Sequence, residues 1–395
     1  MKTYSVALIG ASLRGAYLLA PAMADTVARH GLQVCAVYDP DLAKAGEAVL
    51  LLESRYEQAG LSVDIQATDD LTSLLTDQVF DLLVVSVPAE DHLPLVEEIH
   101  RVSDRLVLEA PIALNVAEAQ AIAAATEDHP VFMNFPRRFD SGWYKVFELL
   151  RAGMIGELQF INLSAYLPAT TYLRLWQRSQ EHADELFLGL LCQYMDVCNW
   201  FAGDECVSIA GVGDVGHHDL DDYDPAGAFK ALFSRLPIAW RSLVREGLEG
   251  EVVDNFPGDD FLDHGALTLT YANEVTATVL FTSHGPAAVD EEDLELVGSK
   301  GRIWFNARRG VLYVHAFDGS EPERIDGLAD HSLPCTERLD AAFFAQLPLF
   351  AEGIPPAVTA TEGAHALTMA LAALESINAN GVPVLLPLEI DEGEG

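Results

Sequence analysis

The sequence predicts an α/β fold that begins with a doubly wound parallel sheet. A first apolar run, Val6 to Ile9, leads into the glycine turn from Gly10 to Gly15, and a helix-like stretch follows. A second apolar run, Gln33 to Tyr38, ends at the acidic residue Asp39. Apolar runs and helix-like segments then alternate as far as Met133, the order expected of repeated strand–helix–strand units.

The turn after the first strand has the spacing of a phosphate-binding loop. Its two glycines, Gly10 and Gly15, enclose Ser12, Leu13 and Arg14. In such a turn the backbone N–H groups and the N-terminus of the following helix face a pyrophosphate. Ser12 stands where the usual fingerprint has its second glycine, and many strand–helix turns need glycine for steric reasons alone. The turn predicts the phosphate-binding end of a Rossmann unit when it is taken together with the next strand.

Asp39 ends that next strand, 24 residues after Gly15. A Rossmann fold offers an acid to the adenosine ribose hydroxyls at about this distance. Because a carboxylate repels a 2′-phosphate, we expect NAD rather than NADP. The alternative is that Asp39 to Asp41 only forms a turn and the N-cap of the helix from Leu42.

Further strands and helices of the predicted sheet follow in order. They are a helix from Leu42 to Gly60, an edge strand from Val63 to Ile65, a helix from Leu71 to Leu75, a strand from Phe80 to Val87, a helix opened by Asp91 and His92, a strand from Arg105 to Leu108, a helix from Ala117 to Ala125 and a strand from Val131 to Met133. The longest of these apolar runs is typical of a parallel strand covered on both faces.

Ligands of such sheets lie beyond the carboxyl ends of the strands. After the first two strands, these ends carry Ser86 to Pro88, Glu109 to Pro111, and Asn134. We therefore expect the binding cleft along this edge of the sheet.

The charge of the chain excludes several partners. Its 61 acidic and 23 basic residues give a net charge of −38, so binding to nucleic acid or to an anionic membrane surface is disfavoured.

The longest apolar run, Leu186 to Cys192, is far shorter than the about 18 residues of a membrane span. Arg14 interrupts the apolar N-terminal stretch that would otherwise resemble a signal peptide, and we expect a cytoplasmic protein. A salt-rich cytoplasm would screen this charge, but the positive mean hydropathy leaves that interpretation open.

A series of segments, in this order, resembles the Gfo/Idh/MocA family of oxidoreductases. Besides the glycine turn and Asp39, the matching segments are Val85 to Pro88 with His92, Leu106 to Ala113, Asn134 to Arg138, Leu149 to Gly156, Gly298 to Gly301, and Glu362 to Val384. The resemblance implies a Rossmann domain followed by an α+β domain with a large, open, mostly antiparallel sheet. It also implies a homodimer or homotetramer that oxidises or reduces a sugar or polyol carbon with a nicotinamide cofactor.

On this resemblance we expect an NAD-binding domain at residues 1–133, a substrate and oligomerisation domain at 134–389, and an acidic tail at 390–395. The helix from Ala364 to Asn378 should pack back near the first domain. The residues predicted to contact NAD are Gly10, Ser12, Leu13, Arg14, Gly15, Asp39, Ser86, Pro88, His92, Glu109 and Asn134. The expected substrate is a small, carbohydrate-like molecule.

Two positions depart from the family pattern. Ala110 stands where the family has the lysine of its Glu-Lys-Pro segment, and Gln193 stands where it has a catalytic histidine. An amide can orient a hydroxyl but cannot accept its proton near neutral pH. The residues that we predict to act in catalysis instead are Gln193, Tyr194, Asp196 and Arg138, with Arg137, Tyr172 and His182 as further neighbours.

Three functions remain open at this point. The first, which we expect, is a dehydrogenase whose acid–base group has moved. The second is a protein that binds NAD and a ligand without turnover, as a sensor or partner. The third is a redox-assisted lyase or glycosidase, which would also need a base.

No metal site is expected. The run from Gly216 to Asp224 concentrates histidines and aspartates, but adjacent histidines on a strand cannot both face one ion. In so acidic a chain, this run is typical of a solvated loop.

Overall fold

The computed structural model describes residues 2–11, 15, 30–99, 105–129, 131–168, 183–214, 262, 264–285, 291–329 and 335–387. Several predicted features lie outside these residues. They are Ser12, Leu13, Arg14, the helix after the glycine turn, Tyr172, His182, the run from Gly216 to Asp224 and the tail.

The first sheet is parallel throughout its described strands and has the order β3-β2-β1-β4-β5-β6. Its strands are β1 (Tyr4–Ile9), β2 (Leu32–Tyr38), β3 (Gln66–Thr68), β4 (Leu82–Val85), β5 (Leu106–Leu108) and β6 (Phe132–Met133). This confirms the predicted doubly wound parallel sheet. The order reverses between β1 and β4, and the carboxyl ends of these two strands form the crevice where such sheets bind ligands.

Helices alternate with these strands. They are α1 (Leu42–Gln58), α2 (Leu71–Asp77), α3 (His92–Ile99), which a short 3₁₀ turn precedes, and α4 (Val116–Ala125). Acid and amide side chains cap them: Asp41 accepts the N–H of Ala43 at 3.0 Å, and Asn115 accepts that of Glu118 at 2.9 Å. Each cap satisfies a backbone donor that the first helical turn leaves unpaired.

The edge strand is displaced from its predicted position. Its apolar pattern predicted Val63 to Ile65, whereas Gln66–Thr68 pairs with Ala36 to Tyr38. Ile65 is buried in the core beneath the sheet. The prediction was wrong here because apolar side chains mark burial, whereas the strand is defined by backbone pairing with β2.

A second sheet has the order β14-β13-β12-β11-β7-β10-β9-β8-β15 among the described strands. The strands are β7 (Leu158–Pro168), β8 (Cys206–Asp214), β9 (His264–Tyr271), β10 (Thr276–Gly285), β11 (Glu291–Gly298), β12 (Gly301–Asn306), β13 (Val311–Ala316), β14 (Glu323–Ile325) and β15 (Val384–Leu385). All described neighbours pair antiparallel except β7 and β10, which are parallel. The expected mostly antiparallel sheet is therefore confirmed.

The helices of this part of the chain lie between and around the sheets. They are α5 (Ser141–Arg151), α6 (Ala183–Ala202), α7 (Cys335–Phe344), α8 (Leu347–Ala351) and α9 (Ala360–Asn378). The buried faces of α5, α6 and α9 join both sheets in one apolar cluster, which runs from Val85 and Leu108 through Leu191 to Leu269. No described helix is both long and apolar enough to cross a membrane.

Helix α9 packs back on the first sheet, as the sequence predicted. A Cβ placed on Gly363 would lie 3.2 Å from the side chain of Met133 in β6. Just before the helix, the carbonyl of Val358 accepts the N–H of Met133 at 3.0 Å. At its other end, the Ser376 hydroxyl accepts the N–H of Gly211 at 2.9 Å, so α9 joins the two sheets.

Candidate active site

Gly10 is packed tightly against Ser86 and Val87, at the end of β4. Gly10 has a φ of +97°, and a Cβ there would collide with the carbonyl oxygen of Ser86. A Cβ on Gly15 would collide with the carbonyl oxygen of Gly10. Side chains are therefore excluded at both positions, which leaves bare backbone at Gly10 and Gly15 beside the crevice. This shape fits the pyrophosphate of a dinucleotide.

Asp39 ties the ends of β1 and β2 together. Its buried carboxylate accepts the N–H of Ala11 at 2.9 Å through one oxygen and that of Asp41 at 2.9 Å through the other. Asp41 is itself the N-cap of α1. The turn that we considered as an alternative is therefore present, and contact of Asp39 with a ribose stays a prediction. Each carboxylate oxygen retains a lone pair for such a contact.

The ends of β5 and β6 bring two predicted residues together. The amide nitrogen of Asn134 donates to Glu109 at 2.5 Å, and both side chains are buried. The Asn134 oxygen is buried and has no hydrogen-bond partner in the described part of the chain. This oxygen could accept a hydrogen bond from a bound cofactor or substrate. Such a partner is expected, because leaving a buried polar atom unpaired costs free energy.

His92 lies buried at the start of α3. Its Nδ1 is 3.0 Å from the carbonyl oxygen of Ile112, so this nitrogen carries the proton. Burial lowers the pKa of His92 and keeps the imidazole neutral. Near it, Ser86 is buried at the end of β4, and the carbonyl of Pro88 accepts the N–H of Asp91 at 3.0 Å. Contact of these residues with NAD stays a prediction.

Helix α6 crosses the end of β5 at a glycine. A Cβ on Gly189 would lie 2.8 Å from the carbonyl oxygen of Ala110 and 3.0 Å from the Cδ of Pro111. Gln193 follows one helical turn later, on the same face of the helix, and is partly exposed. Gln193 therefore lies about one helical turn along α6 from the contact of Gly189 with Ala110.

Behind Gln193, a buried network centres on Arg137. Its guanidinium donates to both oxygens of Glu292, at 3.2 Å from Nε and also through Nη2, while Nη1 donates to Oε1 of Gln193. The Tyr194 hydroxyl donates to the same Glu292 carboxylate at 3.1 Å. The guanidinium carbon lies 4.9 Å from the centre of the Tyr194 ring. Arg137 and Tyr194 are both buried.

A second ion pair lies alongside, between Arg138 and Asp196. Two guanidinium nitrogens of Arg138 donate to the Asp196 carboxylate at 2.9 and 2.6 Å. Burial raises the pKa of Asp196, and the Arg138 guanidinium opposes this rise. Arg138 also lies over the Trp200 ring at 5.9 Å. Of the four predicted catalytic residues, Tyr194 and Asp196 are therefore buried in these networks, while Gln193 and Arg138 are partly exposed.

Glu292 was missed by sequence reasoning. It stands in the acidic run from Glu291 to Asp293, which is typical of a solvated surface. The signal that could have found it is the alternation of β11, in which Glu292 has the same phase as the buried Leu294 and Leu296. A carboxylate on the buried face of a strand requires a cationic partner, and Arg137 provides it.

Comparisons with known proteins agree with this architecture. A family model described as an oxidoreductase family with an NAD-binding Rossmann fold matches residues 4–135, and a GFO/IDH/MocA C-terminal domain model matches residues 143–304. A myo-inositol 2-dehydrogenase of Thermotoga maritima is 22% identical over 324 residues, which cover 79% of this chain and 82% of the relative.

Two solved structures illustrate the likeness of fold. A levoglucosan dehydrogenase in complex with NADH and levoglucosan has a TM-score of 0.71 and 17% identity, covering 98% of this chain and 100% of the other. An oxidoreductase of Agrobacterium radiobacter, in complex with NAD⁺, L-tartaric acid and magnesium, has a TM-score of 0.69 and 17% identity, covering 97% and 98%.

Proposed function

Because the chain belongs to the Gfo/Idh/MocA family of oxidoreductases and carries an NAD-binding Rossmann domain, we propose that it is an NAD-dependent dehydrogenase or reductase. The substrate is a sugar, a polyol or a related hydroxy compound, since the relatives above are named for inositol and levoglucosan. The observation that supports the proposal is the contact of Gly189 with Ala110 at the end of β5, since Gln193 follows Gly189 by one helical turn.

The strand ends serve the cofactor in this proposal. The cradle formed by Gly10 and Gly15 receives the pyrophosphate, and Asp39 hydrogen-bonds the adenosine ribose, which favours NAD over NADP. Asn134 offers its orphaned oxygen at the same edge. When bound, the nicotinamide supplies the site that accepts or gives up a hydride.

Proton transfer is the atypical part. Tyr194 and Asp196 are buried and already hydrogen-bonded to Glu292 and Arg138, so their direct contact with a substrate would require these networks to open. Gln193 is partly exposed at the cleft and is the residue that we assign to the reacting oxygen. It can orient that oxygen but cannot take its proton. We therefore expect slow turnover in which water carries the proton.

The identities of Ala110 and Gln193 also favour a second function. Neither Ala110 nor Gln193 can act as an acid or a base, which suits a protein that binds NAD and a ligand without turnover. A redox-assisted lyase also needs a base and is less well supported.

The test is a panel of polyols, sugars and sugar acids, including myo-inositol and levoglucosan, monitored by NADH absorbance and by product analysis. The double variant Ala110→Lys/Gln193→His restores both family side chains and is expected to raise turnover by about 10²–10⁴-fold, the usual contribution of general acid–base catalysis. Binding of NAD with no turnover in the wild type, together with activity in the double variant, would identify a binder. Product without net NADH would identify a lyase. Absence of NAD binding would contradict all three functions.

We also propose a homo-oligomer that is built on the uncovered face of the second sheet. On this face Phe160, Tyr166 and Leu280 are 49%, 37% and 42% exposed. Apolar side chains grouped on one face are typical of interfaces. The variant Leu280→Asp is expected to reduce the mass measured by analytical ultracentrifugation, and an unchanged mass would place the contact elsewhere.

A further inference from the structure

The side-chain amide of Gln193 has a defined orientation. A guanidinium group only donates hydrogen bonds, so the Gln193 atom that faces Arg137 is the carbonyl oxygen. The amide nitrogen, with its two N–H bonds, therefore points away from Arg137. No residue in the described part of the chain accepts from that nitrogen, and the side chain is partly exposed at the cleft.

Arg137 cannot easily release the amide, because Glu292 holds it. Two guanidinium nitrogens bond the two carboxylate oxygens of Glu292, and both side chains are only 5–6% exposed. Rotating Arg137 away would leave a buried carboxylate without its counter-ion. The Tyr194 ring against the guanidinium and its hydroxyl on Glu292 restrict the network further.

We propose that Arg137 is a positioning residue that fixes Gln193 as a donor of hydrogen bonds, so that this subsite selects the carbonyl form of the substrate over its hydroxyl form. The inference rests on the proposed function, because it assumes that Gln193 faces the reacting oxygen. It assigns the substrate class as a keto-polyol or an oxidised sugar.

The selection follows from the donors and acceptors of the two forms. A carbonyl oxygen only accepts, and it pairs with the Gln193 N–H. A hydroxyl also brings a proton of its own, but the only acceptor of the Gln193 side chain is the carbonyl oxygen that faces Arg137. The hydroxyl proton then lacks an acceptor on Gln193, and an unpaired buried donor is costly. In the reduction, the carbonyl carbon would gain a hydride from the reduced nicotinamide, which becomes oxidised. The oxygen gains one proton from water, which leaves hydroxide, because neither an amide nor a guanidinium releases a proton near neutral pH.

Ligand affinity tests this inference without turnover. The protein is saturated with tetrahydro-NADH, a reduced analogue that cannot transfer hydride, and is titrated calorimetrically with myo-inositol and with its 2-keto derivative. The wild type is expected to bind the ketone about tenfold more tightly, as one unpaired donor implies. The variant Gln193→Glu keeps the shape and replaces the donors by an acceptor, so it is expected to reverse the preference.

Asn199→Asp is the matched control. It makes the same amide-to-acid change on the same helix, where the Asn199 oxygen accepts a hydrogen bond from Tyr271 at 3.0 Å. This variant is expected to keep the ratio of the two dissociation constants. If Gln193→Glu and Asn199→Asp change the ratio alike, the effect is one of charge and the inference fails.

Arg137→Lys tests the positioning role. An ammonium can reach Glu292 or Gln193 but cannot bridge both as the guanidinium fork does. In Arg137→Lys, the ratio of the two dissociation constants is expected to fall towards one. If Arg137 had only a structural role, the substitution would weaken the binding of both ligands equally and leave the ratio unchanged. Equal binding of the two ligands by the wild type, or binding of neither, would overturn the inference. The proposed function fails separately, if the analogue itself does not bind.

Discussion

The two sides of the cleft differ in what maintains them. On the side of the first sheet, Gly10 and Gly15 are held by close backbone packing, and two backbone N–H groups hold the Asp39 carboxylate. On the side of helix α6, the arrangement depends on side chains, namely Gln193 and the charged network of Arg137 and Glu292 behind it. A cofactor site made of backbone shape tolerates few substitutions. A proton-transfer site made of side chains can change its chemistry while the fold persists.

This difference explains how the chain retains the features of an NAD site and yet lacks the usual acid–base pair. Replacing a lysine by Ala110 removes a cation from a partly exposed position. Gln193 in place of histidine leaves a polar group that still pairs with Arg137. Neither position carries a charge in this chain, and both side chains are only partly buried. The four predictions that follow, from the largest expected effect to the smallest, test this contrast.

The first prediction concerns the backbone side. Gly10→Ala is expected to lower the free energy of unfolding by about 4 kcal/mol and to abolish NAD binding, because positive φ and overpacking each cost a few kcal/mol. Chemical denaturation and calorimetry measure the two effects. Gly46→Ala, in α1 where a Cβ would meet no atom within 4 Å, is the control and is expected to be neutral or slightly stabilising. Normal NAD binding by Gly10→Ala would show that the cradle is not essential.

The second prediction concerns the side-chain network. Glu292→Gln is expected to destabilise the protein by about 3 kcal/mol, because it leaves the buried Arg137 without a counter-ion. The adjacent Glu291→Gln makes the same chemical change at a pair with Arg309 whose arginine side chain is 66% exposed. It is expected to cost less than about 1 kcal/mol. Equal denaturation midpoints for the two variants would contradict the assignment of Glu292 as the anchor of the network.

The third prediction concerns cofactor choice. Asp39→Asn is expected to weaken NAD binding by about 1–3 kcal/mol, as for the loss of a charge-assisted hydrogen bond, and to remove the repulsion of NADP. Asp41→Asn makes the same charge change two residues away and keeps an equally good N-cap. Calorimetry with both cofactors distinguishes the residues. If the wild type binds NADP as tightly as NAD, Asp39 does not select the cofactor.

The smallest effect is expected from His92. Because burial lowers its pKa in the folded protein, the stability that it contributes is present above about pH 6.5 and is lost as the pH falls through the lowered value. The stability difference between wild type and His92→Asn should therefore shrink as denaturation is measured at decreasing pH. A difference independent of pH would mean that His92 titrates normally.

Local patterns were sufficient for five of the six described strands of the first sheet, and the edge strand β3 is the exception. Apolar runs, two glycines and Asp39 identify strands and turns that lie close together in the sequence. The second sheet depends on distant pairings, such as β7 with β11, and was expected only from the resemblance. The same limit applies to the site: Gln193 could be identified by its position in a matching segment, whereas the partnership of Arg137 with Glu292 spans 155 residues. The local sequence shows which residues are polar, but only the fold shows which polar side chains contact one another.

The bond between Met133 and Val358 has a consequence for synthesis. A ribosome releases β6 some 225 residues before the carbonyl that accepts the N–H of Met133. During that interval the border of the first sheet has backbone groups without their final partners, and the surface that receives Gly363 is uncovered. Open strand borders are where chains pair with one another and aggregate. A nascent chain of this protein is therefore expected to pass through a long stage in which the first sheet is nearly complete but its edge strand β6 remains unprotected.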